Sequence, residues 1–156
     1  MAPSFDHINV VVSDMPRAQA FYAVLLDLAP VMDRELSGPW FEGLTGLAGA
    51  RARCLILDRP EGGMRIELLE FAGNDGTALE ALRRPATIGL RHFALRVIDL
   101  DHRLDILRRR FGQNLVPIQV PIDIVQGGKR MCYCHDPDGT IIELCEYGSD
   151  RPVFCP

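Results

Sequence analysis

Four strand-like segments of the sequence each carry a side chain that could bind a metal ion. His7, Glu67, His92 and Glu143 each stand in a run of mostly apolar residues. An ionised carboxylate placed among apolar side chains costs several kcal/mol unless a cation compensates it. Two imidazoles and two carboxylates are a plausible ligand set for a divalent ion. We therefore expect these four residues to hold one metal ion.

The spacing around these residues repeats along the chain. His7 precedes Asp14 by seven residues and His92 precedes Asp99 by seven residues, and each aspartate opens a predicted helix. Both glutamates lie in the triplet Ile-Glu-Leu, in the last predicted strand of their half. The repeat indicates two copies of one structural unit, each with one histidine and one glutamate.

The hydrophobic pattern predicts a strand, a helix and three further strands in each half. In the first half we expect strands at 5–12, 30–36, 50–58 and 64–71, and a helix from 13 to about 28 that Pro30 ends. In the second half we expect strands at 90–97, 115–125, 129–135 and 139–147, and a helix that begins at Asp99 and ends at Gly112. A linker at 72–88 then separates a first module at 5–71 from a second module at 89–147, with a tail at 148–156.

Side chains alternate along a strand, which assigns further residues to the faces that carry the candidate ligands. Asn9, Arg65 and Arg96 fall on those faces, whereas the opposite faces are nearly all apolar, as is typical of a sheet packed on helices. We predict that Asn9 binds a substrate, and the two arginines could pair with a carboxylate or phosphate of that substrate. They could also only balance the charges of the two glutamates, and the sequence leaves both alternatives open.

Residues 37–46 are rich in glycine and predict a loop rather than a helix or strand. With Trp40 and Phe41 near its middle, this loop could flank a binding pocket and contact a substrate. The alternative is a loop held in place by its own aromatic side chains.

The composition limits the class of protein. A chain of 156 residues with 47% apolar residues suffices for one domain or two small packed modules. A net charge of -4 predicts no nucleic-acid partner. The sequence shows no apolar run of the roughly 20 residues that a membrane span requires, and no signal peptide pattern, so we expect no membrane association and a cytoplasmic location. Five cysteines without a CxxC pair predict reduced thiols.

These segments resemble the vicinal oxygen chelate superfamily, which includes glyoxalase I, methylmalonyl-CoA epimerase, extradiol dioxygenases, and fosfomycin and bleomycin resistance proteins. The resemblance lies in residues 6–14 with 20–22, in 89–97 and in 136–144. It implies an α+β fold in which two βαβββ modules form a cupped half-barrel of mixed sheet around one divalent ion, with helices on the outside. The order His, Glu, His, Glu is similar to the glyoxalase I and epimerase branch.

The resemblance also implies a function. It indicates a metal-dependent lyase or isomerase that shifts a proton next to a carbonyl, with the ion stabilising the enolate charge. Glu143 would act as the base and Glu67 as its partner on the opposite face of the substrate. Zn, Ni, Co and Mn all suit the ligand set. The implied substrate is a small 2-oxo compound or thioester, for example of glutathione or CoA, and the implied assembly is a homodimer.

The substrate itself stays open. Val11 stands where glyoxalase I carries an arginine for the glutathione carboxylate. One alternative is a ligand-binding protein of the bleomycin-resistance type, without metal chemistry. Another is an Fe(II) extradiol dioxygenase, but those enzymes generally use three ligands, and Glu67 is a fourth.

Overall fold

The computed structural model describes residues 4–74, 80–115, 122–124 and 129–148. The chain divides into two compact units, Met1–Thr77 and Ala78–Pro156. The boundary falls within the segment 72–88 that the sequence predicts as a linker.

The first unit is a four-stranded mixed sheet with a helix packed on one face. Its elements are β1 (His7–Val11), α1 (Met15–Leu26), β2 (Ala29–Ser37), α2 (Pro39–Thr45), β3 (Arg51–Asp58) and β4 (Arg65–Phe71). The strand order is β1-β4-β3-β2, in which β1 and β4 are parallel and the other neighbours are antiparallel.

The second unit repeats this topology. Its elements are a short 3₁₀ helix (Glu80–Arg83), β5 (His92–Arg96), α3 (Leu100–Leu115), β6 (Ile122–Ile124), β7 (Lys129–His135) and β8 (Ile141–Tyr147). The strand order is β5-β8-β7-β6, and again only the first pair, β5 and β8, is parallel. The predicted α+β fold with two βαβββ units is confirmed.

Local signals set the ends of α1. The side chain of Asp14 caps the helix by accepting a hydrogen bond of 2.9 Å from the backbone N–H of Arg17. We predicted that Pro30 ends the helix near residue 28. The helix instead ends at Leu26, because Asp27 takes the left-handed conformation with φ 57°. Pro30 lies inside β2.

The predicted loop at 37–46 is wrong, since Pro39–Thr45 forms α2. Two of the glycines that suggested a loop stand at the ends of this helix. Gly38 precedes it with φ 86°, and Gly46 follows it with φ 71° and donates its N–H to the carbonyl of Glu42 at 2.8 Å. Glycine in the left-handed region ends a helix rather than disrupting it.

The end predicted for the second helix corresponds to a break inside α3. Gly112 has φ 70° and ψ 159°, which interrupts the helical conformation before Leu115. Within the described part of the chain, no helix is long and apolar enough to cross a membrane. Of the predicted strand 115–125, residues 122–124 form β6 and 116–121 and 125 lie outside the described residues, as does most of the predicted tail.

Each sheet buries the face opposite its candidate ligands. In the first unit the buried apolar residues of the sheet and α1 include Val10, Leu55, Leu57, Ile66, Leu68, Met15, Phe21 and Tyr22. In the second unit they include Leu100, Leu104, Leu107, Cys132, Cys134, Ile142 and Leu144. Full burial of one large apolar side chain contributes about 1.5–3 kcal/mol, so these faces form a stabilising core within each unit.

Candidate functional site

In each unit one histidine and one glutamate meet on the two parallel strands. The residue two positions after each histidine lies opposite the glutamate, at Asn9 and Glu67 in the first unit and at Ala94 and Glu143 in the second. The two His–Glu pairs are therefore the same diagonal neighbours on one face of each sheet. The repeat in the sequence corresponds to a repeat in strand register.

The distances within the pairs suit shared metal ligands. His7 Nε2 lies 3.3 Å from Glu67 Oε2, and His92 Nε2 lies 3.4 Å from Glu143 Oε2. Two atoms that each lie about 2.0–2.2 Å from one ion are roughly 3.0–3.5 Å apart at ordinary coordination angles. Each pair thus fits one divalent ion. Among the described residues, no group of three or more metal-binding side chains converges, so each unit by itself offers two ligands.

Asp6 orients the first histidine. His7 Nδ1–H donates to Asp6 Oδ1 at 3.1 Å, and the same oxygen accepts a hydrogen bond from Arg65. A histidine held in this way presents Nε2 as its ligand atom. The hydrogen bond from His7 and the charge of Arg65 outweigh desolvation and lower the pKa of Asp6 below its usual 3.8. Arg65 is engaged in this ion pair, and its Nε lies 3.9 Å from Asp58 Oδ2, so its partners here are two aspartates and neither of the candidate glutamates.

Glu67 has two partners that carry no charge. Asn9 Nδ2 donates to Glu67 Oε2 at 2.9 Å, and Cys54 Sγ donates to Glu67 Oε1 at 3.5 Å. Burial, followed by the charge of Glu67, raises the pKa of the Cys54 thiol to about 11, so the thiol stays protonated and can donate at neutral pH. Asn9, which we predicted to bind substrate, holds this carboxylate. The role of Cys54 was not predicted, since only the pairing of β3 with β4 brings it to Glu67.

Glu143 has a cationic partner, which was also not predicted. Lys129 Nζ donates to Glu143 Oε1 at 2.7 Å, and the two side chains are only 16% and 7% exposed. Burial lowers the pKa of Lys129, but the hydrogen bond and charge of Glu143 outweigh this and raise it above its usual 10.5. The signal was present in the sequence: in the hairpin of β7 and β8, odd-numbered residues pair with odd-numbered residues. Lys129 therefore shares the face of Glu143.

Arg96 lies on the same face and is exposed to solvent. Its guanidinium carbon is 5.4 Å from the centre of the Tyr147 ring, and Lys129 Nζ is 5.7 Å from the same centre. Both contacts are of the cation–π type. Within the described part of the chain, Arg96 has no ion pair with a carboxylate, and it is therefore available to an anionic substrate.

The two aromatic residues of α2 have different surroundings. Phe41 is buried and stacks on Phe71 with ring centres 5.8 Å apart, whereas Trp40 is 56% exposed. Phe41 belongs to an apolar cluster with Cys54, which is the residue that contacts Glu67. These contacts favour the alternative in which the segment is held by its own aromatic residues, and they leave only Trp40 open to a substrate.

The fold and these side chains define a class: an α+β protein of two βαβββ units, each with a candidate pair of metal ligands on its parallel strands. A family model described as the Glyoxalase/Bleomycin resistance protein/Dioxygenase superfamily matches residues 6–133. The chain belongs to this superfamily. Comparison of the sequence with curated proteins gave no match.

Solved structures share the fold. A glyoxalase family protein from Bacillus cereus is similar with a TM-score of 0.79 and 21% identity, over 95% of this chain and 97% of that one. A domain of the same superfamily from a Frankia species gives a TM-score of 0.65 and 17% identity, over 95% and 100%. A mutant of a fosfomycin resistance protein from Listeria monocytogenes, in complex with Mn(II) and dihydroxypropylphosphonic acid, gives 0.60 and 18% identity, over 96% of each chain. Likeness at this level of identity shows the fold alone.

Proposed function

We propose that the chain is a divalent-metal-dependent lyase or isomerase that shifts a proton next to a carbonyl group of a small anionic substrate. The observation that carries the proposal is the equivalence of the two His–Glu pairs. In each pair the histidine Nε2 and the glutamate Oε2, the two candidate metal-binding atoms, are 3.3 or 3.4 Å apart on matching strands. The residues that would hold a divalent ion are His7 with Glu67 in the first unit and His92 with Glu143 in the second. Zn, Ni, Co or Mn suits such a set of imidazole and carboxylate ligands.

A bound divalent ion acts as a Lewis acid that stabilises negative charge on a substrate oxygen next to the reacting carbon. The residues of the chain prepare this chemistry. Asp6 holds His7 with Nε2 directed at Glu67, and the buried position of Glu143 limits its contact with water. The orientation of His7 is a form of preorganisation, because a ligand that is already in place needs little rearrangement during the reaction.

The partners of the two glutamates favour different roles. One oxygen of Glu143 is occupied by the ammonium of Lys129, and the side chain is 7% exposed. Glu67 accepts hydrogen bonds from the neutral groups of Asn9 and Cys54 and lies 3.3 Å from His7 Nε2, and its side chain is 20% exposed. A carboxylate with uncharged partners keeps its negative charge available for a proton. We therefore assign proton transfer first to Glu67, with Glu143 as the more fixed ligand.

Arg96 is the candidate for binding the anionic group of the substrate. It is exposed, it rests on the Tyr147 ring, and its guanidinium can form two parallel hydrogen bonds to a carboxylate or phosphonate. Once a substrate is known, Arg96→Met should raise KM by about tenfold or more without loss of metal, since a hydrogen bond to a charged group contributes about 1.5–3 kcal/mol. An unchanged KM would remove Arg96 from the substrate site.

Metal content tests the proposal directly. Protein purified without chelator should carry a stoichiometric divalent ion, and His7→Ala and Glu143→Gln should lose it. His102→Ala is a matched control, because His102 is an exposed histidine on α3. A panel of 2-oxo thiol adducts and 2-methylated acyl thioesters in deuterated water should then reveal exchange of the proton next to the carbonyl. Protein that takes up no divalent ion at all would refute the proposal.

A second candidate function is a ligand-binding protein without metal chemistry. The observation that favours it is the Lys129 ammonium, which already supplies a positive charge to Glu143. This candidate predicts metal-free protein that binds a small anionic ligand with unchanged affinity in the presence of chelator. The same metal analysis therefore separates the two functions.

A further inference from the structure

The chain contains one lysine among its 17 basic residues, and this lysine contacts a candidate metal ligand. Lys129 Nζ lies 2.7 Å from Glu143 Oε1, while the other oxygen of the carboxylate faces His92 Nε2 at 3.4 Å. The proposed function assigns the Glu143 carboxylate to a divalent ion. In this structure the carboxylate is already paired with the ammonium of Lys129.

We propose that the ammonium of Lys129 competes with the divalent ion for the carboxylate of Glu143. The His92–Glu143 pair then has two forms, one in which the ammonium neutralises the carboxylate and one in which the divalent ion does. This inference rests on the proposed function, because it takes Glu143 to be a metal ligand.

Electrostatics makes the two cations competitors rather than partners. The ammonium and the carboxylate are both largely buried, so water screens little of their charge. A divalent ion on the same carboxylate would meet the full charge of the ammonium across a short, poorly screened distance. Metal binding at Glu143 therefore requires the Lys129 ammonium to move away. If the ammonium stays in place, the affinity for the metal is lower.

The first unit provides an internal comparison. Lys129 lies opposite Tyr147, four residues beyond Glu143, and the matching position of the first unit is Ala52, opposite Phe71. Alanine supplies no cation there, and Glu67 is held by neutral groups instead. The competing ammonium therefore belongs to the second unit and is not a property of the repeated fold.

The side chain is suited to moving. Lysine is a compact charge on a flexible stem, whereas arginine binds a carboxylate through a rigid, two-pronged geometry. The Tyr147 ring centre, which Arg96 also contacts, already lies 5.7 Å from Lys129 Nζ while the ammonium pairs with Glu143. An aromatic face stabilises an ammonium that has left its carboxylate. The lysine can thus leave Glu143 without losing every favourable contact.

The first experiment measures metal affinity. Chelator-treated wild-type protein, Lys129→Met and the control Arg130→Met are titrated with Mn(II), and free Mn(II) is followed by electron paramagnetic resonance. Arg130 is the adjacent cation of β7 and pairs with Asp101 rather than with Glu143. We expect Lys129→Met to bind Mn(II) about ten- to hundredfold more tightly than the wild type, the order set by one charged hydrogen bond. Arg130→Met should match the wild type.

The second experiment needs no substitution, so it holds even if Lys129→Met folds poorly. The expressed chain has only two kinds of primary amine, the ammonium of Lys129 and the amino terminus. Competitive acetylation followed by mass spectrometry compares their reactivity with and without saturating Mn(II). We expect Lys129 to be protected in the metal-free protein and to become several-fold more reactive with Mn(II), while the amino terminus does not change.

The outcomes separate this inference from the proposed function. Tighter Mn(II) binding by Lys129→Met, or binding by that variant alone, supports the competition. Equal or weaker binding by Lys129→Met, with no change in lysine reactivity, overturns the competition and leaves the metal-dependent function in place. If neither protein binds Mn(II), Zn(II), Ni(II) or Co(II), both the function and the competition are wrong.

Discussion

The ion pair of Lys129 and Glu143 should contribute measurably to the stability of the metal-free protein. The N–O distance is 2.7 Å, and the side chains are 16% and 7% exposed. Removing one partner of a buried pair leaves the other charge uncompensated and typically costs about 3–5 kcal/mol. Because Lys129 retains some contact with solvent, we expect about 2–4 kcal/mol for Lys129→Met. In a chain of this size, that loss lowers Tm by roughly 5–15 °C.

A double-mutant cycle isolates the interaction. Wild type, Lys129→Met, Glu143→Gln and the double variant are unfolded with urea in the presence of chelator, and unfolding is followed by circular dichroism. Each single variant should be destabilised, whereas the double variant should recover much of the loss because neither charge remains. We expect a coupling free energy of about 1–3 kcal/mol. Additive effects, or single losses below about 0.5 kcal/mol, would show that the two charges are solvated and would refute the reasoning.

The pH dependence of stability is an independent test of the Lys129–Glu143 ion pair. The pKa of Lys129 is raised in the folded protein, so its contribution to stability is fully present below its usual value of 10.5. The contribution is lost as the pH rises through the folded-state pKa. Glu143→Gln should remove this loss at alkaline pH, and a wild-type profile that the substitution does not change would contradict the prediction.

Three further predictions follow from the structure. Asp6→Asn removes the carboxylate that orients the first histidine, and it should weaken Mn(II) binding by about 10–100-fold in the same titration; an unchanged affinity would exclude an orienting role. Gly139→Ala should destabilise the protein by about 1–3 kcal/mol in urea, since φ is 99° and the new Cβ would lie 2.6 Å from Arg83 Nε; a neutral result would mean that neither the backbone conformation nor the Arg83 side chain opposes a Cβ at this position. Burial raises the pKa of three thiols, to about 11 for Cys54 and Cys132 and to about 12 for Cys134. Because an unfolded thiol ionises near 9.0, stability should fall between pH 9 and 11, and thiol reagents at pH 8 should react with these cysteines only after unfolding; rapid reaction in the native protein would contradict this.

Much of the fold followed from local pattern. The alternation of apolar residues located seven of the strands to within a few residues, because the side-chain period of a strand is a property of the local backbone. The repeat of His7 and Asp14 in His92 and Asp99 identified two equivalent units. Even the face of each histidine and glutamate followed from the sequence, since side chains alternate along a strand and the opposite faces are nearly all apolar.

Helix boundaries depended on backbone conformations that composition does not reveal. The glycines around α2 suggested a loop, yet two of them stand at its ends, where φ is positive. Asp27 ends α1 in the left-handed conformation, before the proline that we expected to end it. A residue type limits which conformations are allowed, but packing selects among them, and the burial of Phe41, a residue of α2, is one such selection.

The partners of the candidate ligands were decided by tertiary structure. Residue type and spacing identified the four candidates, but whether Glu143 meets Lys129 or Glu67 meets Asn9 and Cys54 depends on strand register and side-chain rotamers. These contacts join residues from 13 to 58 positions apart in sequence. The energy of a buried charge depends on every group around it, and only the folded chain brings those groups together.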